Sequence, residues 1–331
     1  MWRKTFTLTA ILLIILSFIG CAPDETGINE EEPDLRIVTT IYPLADIAGR
    51  LGGGKVEVSY LLPAGSSPHT YEPTVEQARL MEQADLLIYV GADLDNWAVN
   101  MTDAIGPELN TINISGKVDL IDAADYFRLE EESEGHDHDR AGCEEHDDHA
   151  DHDGCGHDHG PEDPHFWLDP VLVRDSICPA IHEKLMELYP EGKDYFENRH
   201  VEYRQELNVL DEEINDAVSG FSRTNFIAFH SAWQYFTRRY GLEEVAVIAQ
   251  FPGQEPSAGW IAELVDLIRE EEIGAIFTEP QFSPELAERI AEESGAEVMI
   301  IDPLGGEGVP GRESYLELMR FNLSVFKEAM E

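Results

Sequence analysis

The sequence predicts an α/β protein of two halves, each a parallel sheet flanked by helices. Three observations predict it. Short β-branched runs alternate with helical patterns both before residue 120 and after residue 225, which is the mark of βαβ units. A helical pattern of about 25 residues, roughly 38 Å long, lies between the two sets. The chain has 331 residues, enough for about two domains of ordinary size.

In order, residues 35–40 (LRIVTT) read as a strand, 44–51 as a helix ending before Gly52, and 56–62 as a second strand. Residues 75–84 read as a helix and 86–90 (LLIYV) as a buried strand. Two long helical patterns follow, at 171–189 and 194–219. The second places Tyr195, Val201, Leu207, Leu210 and Ile214 among many charges. The second half runs through strands at 226–229 (FIAF), 245–249, 275–278 (AIFT) and 298–301 (VMII). Helices are expected at 260–271, 284–294 and 313–330.

Two segments stand apart. At the N-terminus, Arg3 and Lys4 precede an apolar run over residues 8–19 that is short for a membrane span. Charged start, apolar run and small residue read as a secretory signal peptide. Gly20-Cys21 resembles a lipoprotein cleavage site, with Phe18 where such sites usually carry Leu, and makes Cys21 the candidate for lipidation. Residues 22–34 are polar and read as a tether. Residues 130–163 hold seven of the twelve histidines, His136, His138, His146, His149, His152, His157 and His159, with fifteen acids and one base. Such a composition cannot bury a core and predicts a mobile insertion. Cys143 and Cys155 within it fit either a disulfide or thiolate ligands to zinc. Cys178 sits in a helical pattern and is expected in the core.

Charge narrows the function. The chain carries 22 Lys and Arg against 67 Asp and Glu, a net −45. It would repel a phosphate backbone, which excludes nucleic acid as a partner, and attract cations. The acid excess extends beyond the insertion, as in the solvated surfaces of halophilic proteins.

Five histidines lie outside the insertion. His182 and His200 sit in charged helical patterns and read as surface residues. His69 and His230 follow predicted strands, and His165 stands at the exit of the insertion. Asp302 directly follows the VMII strand. Open α/β sheets bind ligands beyond the carboxyl ends of their strands. Three imidazoles and a carboxylate make a four-coordinate Zn²⁺ set. Against this, a lone histidine is more often a hydrogen-bonded core residue, and Asp302 also reads as a turn residue before Pro303. Three nitrogens to one oxygen argue against manganese and leave zinc, nickel and cobalt open.

Seven segments, in order, carry a resemblance: YPLADIA (42–48), SPHTYEP (67–73), DPHFWLDP (163–170), HSAWQYF (230–236), QEPSA (254–258), FTEPQF (277–282) and IDPLG (301–305). With them the chain resembles the cluster A-I metal-binding lipoprotein receptors of ABC importers, in the zinc receptor (ZnuA/TroA-like) branch. The resemblance implies two pseudo-equivalent lobes joined by one long rigid helix, with metal in the cleft between them. The expected divisions are a signal peptide (1–20), a lipid-anchored tether (21–34), a first lobe (35–192), a linking helix (193–220) and a second lobe (221–331). It implies His69 and His165 as ligands from the first lobe and His230 and Asp302 from the second. Manganese-type relatives usually carry Glu where His230 stands.

Glu279 is expected either to orient a ligand histidine or to face the other lobe. The insertion's histidines are expected to collect or sense zinc as an auxiliary site. The implied function is extracytoplasmic capture of Zn²⁺ by a membrane-anchored monomer, with a permease and a cytoplasmic ATPase as partners. Alternatives are a receptor for manganese, nickel or cobalt, a secreted zinc hydrolase, and a surface adhesin. No HExxH or G-x-S-x-G motif supports the hydrolase, so no enzymatic activity is expected.

Overall fold

The computed structural model describes residues 33–106, 109–122, 162–249, 253 and 255–331. The signal peptide, the tether up to residue 32, Cys21, Cys143, Cys155 and all seven insertion histidines lie outside the described residues.

The first sheet contains β1 (Leu35–Thr39), β2 (Val56–Tyr60), β3 (Leu86–Tyr89) and β4 (Asn110–Asn113) in the order β2-β1-β3-β4. The second contains β5 (Asn225–Ala228), β6 (Glu243–Val247), β7 (Ala275–Thr278) and β8 (Glu297–Ile300) in the order β6-β5-β7-β8. Every pairing in both is parallel. The repeated order makes the two halves topologically equivalent, as the resemblance implies.

The helices are α1 (Tyr42–Gly52), α2 (Val75–Glu82), α3 (Asn96–Ile105), α4 (Cys178–Leu188), α5 (Lys193–Val218), α6 (Gln234–Tyr240), α7 (Ala258–Glu270), α8 (Glu285–Ser294) and α9 (Tyr315–Met330). In α1, Leu44, Ile47, Ala48 and Leu51 are buried, at the spacing of one helical face. The helix stops at Gly53, whose φ of 53° suits glycine alone and whose missing Cβ makes room for the Tyr195 hydroxyl.

The pattern at 171–189 is not one regular helix. A turn at Pro170–Leu172 passes through a π turn at Val173–Ile177 before α4 begins. Pro179 has no N–H to donate back along the chain, so regular α-helix cannot run through this point.

The long helix α5 buries Phe196, His200, Tyr203, Leu207, Leu210 and Ile214. Tyr195 and Val201, two of the apolar residues named in this pattern, are 39% and 47% exposed. His182 and His200 correct the sequence reading in the opposite sense. They are buried, facing one another across α4 and α5. Charged neighbours hid a face set by helix-to-helix packing.

One core cluster runs from Leu35 in β1 to Met330 in α9 and takes residues from both halves. At its centre in the second half, Phe326 of α9 meets Phe277 at 4.8 Å, Phe236 at 5.2 Å, and Phe226 and Trp233 at 5.6 Å between ring centroids. The segment leaving the insertion is held by both halves. Asp163 N donates to Ile121 O at 2.8 Å, and Asp122 and Glu162 form an antiparallel bridge. Tyr235 Oη donates to Asp163 O at 2.9 Å, Trp167 Nε1 to Pro303 O at 2.8 Å, and Tyr315 Oη to Trp167 O at 2.8 Å. Arg239 and Asp169 add an ion pair at 2.8 Å.

Candidate metal centre

His69, His165 and His230 converge. One ring nitrogen from each lies within 4.8 Å of the others, and among the described residues no other group of three or more His, Cys, Asp or Glu does so. Each comes from a different connection at the strand ends.

His69 lies in the loop after β2, at the mouth of the site. Trp97 Nε1 from α3 donates to Pro68 O at 3.1 Å, and the Trp97 ring packs edge-on against Tyr71 at 5.1 Å. Gln77, closing a capping box with Thr74, bonds the Tyr71 hydroxyl. The loop is thus braced on both sides of the histidine.

His165 takes its orientation from Asp163, whose Oδ1 accepts from His165 N at 2.9 Å and lies 2.8 Å from Nδ1. A proton held on Nδ1 by the carboxylate leaves the Nε2 lone pair free to bind metal. His230 follows β5, and Glu279, directly after β7, places Oε1 at 2.8 Å from its Nδ1. Of the two places expected for Glu279, the structure puts its carboxylate beside a candidate ligand histidine. Asp163 has the same position on its own histidine and was missed. Its signal was the acid two residues before His165.

One nitrogen pair already has the spacing of ligands on a tetrahedral ion. His69 Nε2 and His165 Nε2 are 3.1 Å apart, close to the ~3.3 Å between ligands bound at about 2.0–2.1 Å from tetrahedral zinc. His230 Nε2 is buried with no hydrogen-bond partner among the described residues. Ser67 Oγ and Gln281 Oε1 are likewise buried and unpartnered, and both line the same pocket. They offer two further oxygen atoms in the pocket that the three rings line.

Charge also prepares the site. Burial pushes His69 down to about 2, helped by His165 and His230, so its imidazole is neutral. Burial acts in the same sense on His230, but the carboxylates of Glu279, Glu244 and Asp163 together outweigh it and the net shift is upward. The neutral His69 ring is ready to bind a cation, while the upward shift on His230 favours a proton that a metal would have to displace.

Asp302 departs from expectation. Its Oδ1 accepts from Leu304 N and Gly305 N at 3.0 Å each, and Oδ2 takes Arg312 Nη1 at 2.9 Å. Both carboxylate oxygens are committed to the turn, and Asp302 is not in the ligand cluster. Asn322 closes the arrangement by bonding Asp302 N and O at 2.8 and 2.7 Å. Here the structure favours the turn reading, because two backbone donors and an arginine engage both oxygens.

Comparison with known proteins gives a consistent picture. The family model described as the periplasmic component A of the zinc-uptake complex matches residues 37–329. The chain is 28% identical over 334 residues to the zinc-binding lipoprotein AdcA of Streptococcus pneumoniae serotype 4, covering 99% of this chain and 61% of that protein. This chain thus spans 61% of the length of that curated relative. It is 28% identical over 333 residues to the high-affinity zinc uptake system protein ZnuA of Bacillus subtilis, covering 99% of this chain and 98% of that one. A crystal structure of ZnuA superposes with a TM-score of 0.72 at 26% identity, covering 89% of this chain and 98% of the other.

Proposed function

Because the chain belongs to the zinc-uptake complex component A family, whose model spans residues 37–329, we infer that it captures Zn²⁺ outside the cytoplasm and delivers it to an ABC importer. His69, His165 and His230 hold the ion, Asp163 and Glu279 orient two of the three rings, and water completes the coordination. The observation that carries this reading is the convergence of three imidazole nitrogens within 4.8 Å. An all-nitrogen protein set suits zinc and disfavours manganese, which prefers oxygen. Lobes at residues 35–192 and 221–331, linked by helix 193–220, fit this role. So does anchoring through a lipidated Cys21, with a permease and an ATPase as partners. The chain binds and releases its cargo without a chemical step.

The test is a competition titration of the purified protein with Zn²⁺, Mn²⁺, Ni²⁺ and Co²⁺. Zn²⁺ is expected to displace Mn²⁺ at equal concentration, and a site that prefers Mn²⁺ would overturn the reading. His230→Glu is expected to move the Zn/Mn ratio toward manganese.

Proton release gives a second check. A metal ligand must bind as neutral imidazole. His230 sits above the ordinary histidine range and His69 near 2. Zinc binding at a pH below the His230 pKa should therefore release a proton from that ring and none from His69. Affinity should fall as pH drops, by about tenfold per unit below the His230 pKa. Calorimetry in buffers of different ionisation enthalpy counts that proton, and buffer-independent heats would contradict the assignment.

The insertion is a separable weak binder in this reading. Replacing residues 132–160 by a short Gly/Ser linker should leave one tight zinc site and remove the weaker ones, since unorganised ligands lose ordering entropy on binding. A titration that instead loses the tight site would reverse the two roles.

A further inference from the structure

The two histidines concealed among charges in the sequence meet in the hairpin of α4 and α5. The His182 and His200 rings lie 4.4 Å apart between centroids, with planes tilted by 37°. The residues are only 6% and 9% exposed. On each, Nε2 is buried and makes no hydrogen bond among the described residues. Glu197, three residues before His200 on α5, brings Oε2 to 3.4 Å from His182 Nε2, too long and poorly aligned for a good hydrogen bond. Buried polar atoms are almost always satisfied. Two orphaned imidazole nitrogens beside a carboxylate call for a shared partner.

We propose that His182, His200 and Glu197 form a second divalent-metal site, taking Zn²⁺ or a similarly borderline cation and tying α4 to α5. Two imidazoles and a carboxylate are a known zinc donor set, whereas Ca²⁺ and Mg²⁺ require oxygen ligands throughout. The spacing favours it. Glu197 and His200 share one face of α5 as an i, i+3 pair, and His182 faces them from the antiparallel partner. The Glu197 side chain is 56% exposed, so it can turn to close on both rings. At its present position the three ligand atoms are not all within 4.8 Å. Burial holds both imidazoles below the usual histidine range, which keeps their lone pairs available at neutral pH.

This site is remote from the first. Tyr195 Oη accepts from Gly54 N at 3.1 Å and Arg199 Nε donates to Arg50 O at 2.9 Å. The start of α5 therefore lies at the turn entering β2, at the opposite end of the first sheet from the strand-end histidines. An ion there would staple the hairpin and share no ligand with the cargo.

The experiment is a zinc titration of the whole protein followed through its histidine ring resonances in NMR spectra, with zinc-edge anomalous maps from crystals grown with excess zinc. The His182 and His200 ring signals should shift together, after the His69, His165 and His230 signals have finished shifting. Glu197→Gln, a surface change that should not disturb folding, is expected to weaken the second phase about tenfold and leave the first unchanged. The anomalous map should show a peak between the two rings. Unmoved His182 and His200 signals, or a map with density only at the other three histidines, would overturn the proposal and leave a water-bridged packing pair. A second phase indifferent to Glu197→Gln would remove the carboxylate from the site. None of these outcomes depends on the strand-end site being the cargo site.

Discussion

His230→Ala is expected to lower zinc affinity by at least about a hundredfold. Losing an outer-sphere partner of a metal-bound histidine typically costs about 10–100-fold, and this change removes the ligand itself. It also leaves Glu279 buried, 3% exposed, without the imidazole that its carboxylate faces at 2.8 Å. Unpaired buried charge is costly, so the damage extends beyond the missing bond. His69 and His165 would keep their 3.1 Å approach but offer only two nitrogens. Competition against a chromophoric chelator measures the loss, and a urea melt of the metal-free variant confirms that it folds. A change of less than tenfold in a folded variant would place the ion elsewhere.

Phe326→Ala should produce the largest loss of stability from a single change, about 3–5 kcal/mol. Its ring is fully buried and packs against four other aromatic rings, from β5, β7, α6 and the turn before α6. Truncation opens a cavity that rigid neighbours cannot fill. Because α9 also packs on α5, the loss should register in both halves. A single cooperative urea transition moved to lower denaturant would show that the halves unfold together. Two separated transitions would contradict the single shared core.

The strands and most helices were legible because their signals are local. AIFT and LLIYV are buried β-branched or aliphatic runs, and α1 has one clear apolar face. Less legible were β4 and α3. Among the four residues of β4, NTIN, only Ile112 is buried, so no alternation announces an edge strand. The faces of α5 depend on which helices pack against it, and that information lies elsewhere in the chain. The same distinction divides the candidate site. His69, His165 and His230 were visible because they are scarce outside the insertion and follow strands. Asp302 misled because its position after β8 is the same whether it turns toward the pocket or toward Arg312. Only the distant Arg312 and Asn322 decide that, and sequence order does not bring them to it.

The junction of Ile121 and Asp122 with Glu162 and Asp163 ties together the two points between which residues 123–161, with the insertion among them, must run. Closing a chain between two fixed points costs entropy that grows only with the logarithm of its length, about 0.6 kcal/mol per doubling. Inserted length and folding stability are therefore nearly decoupled at this point. Natural variants could lengthen or shorten the segment through replication slippage without a folding penalty to select against them. An engineer could splice a fluorescent reporter at the same boundary, a few residues from the His165 ring.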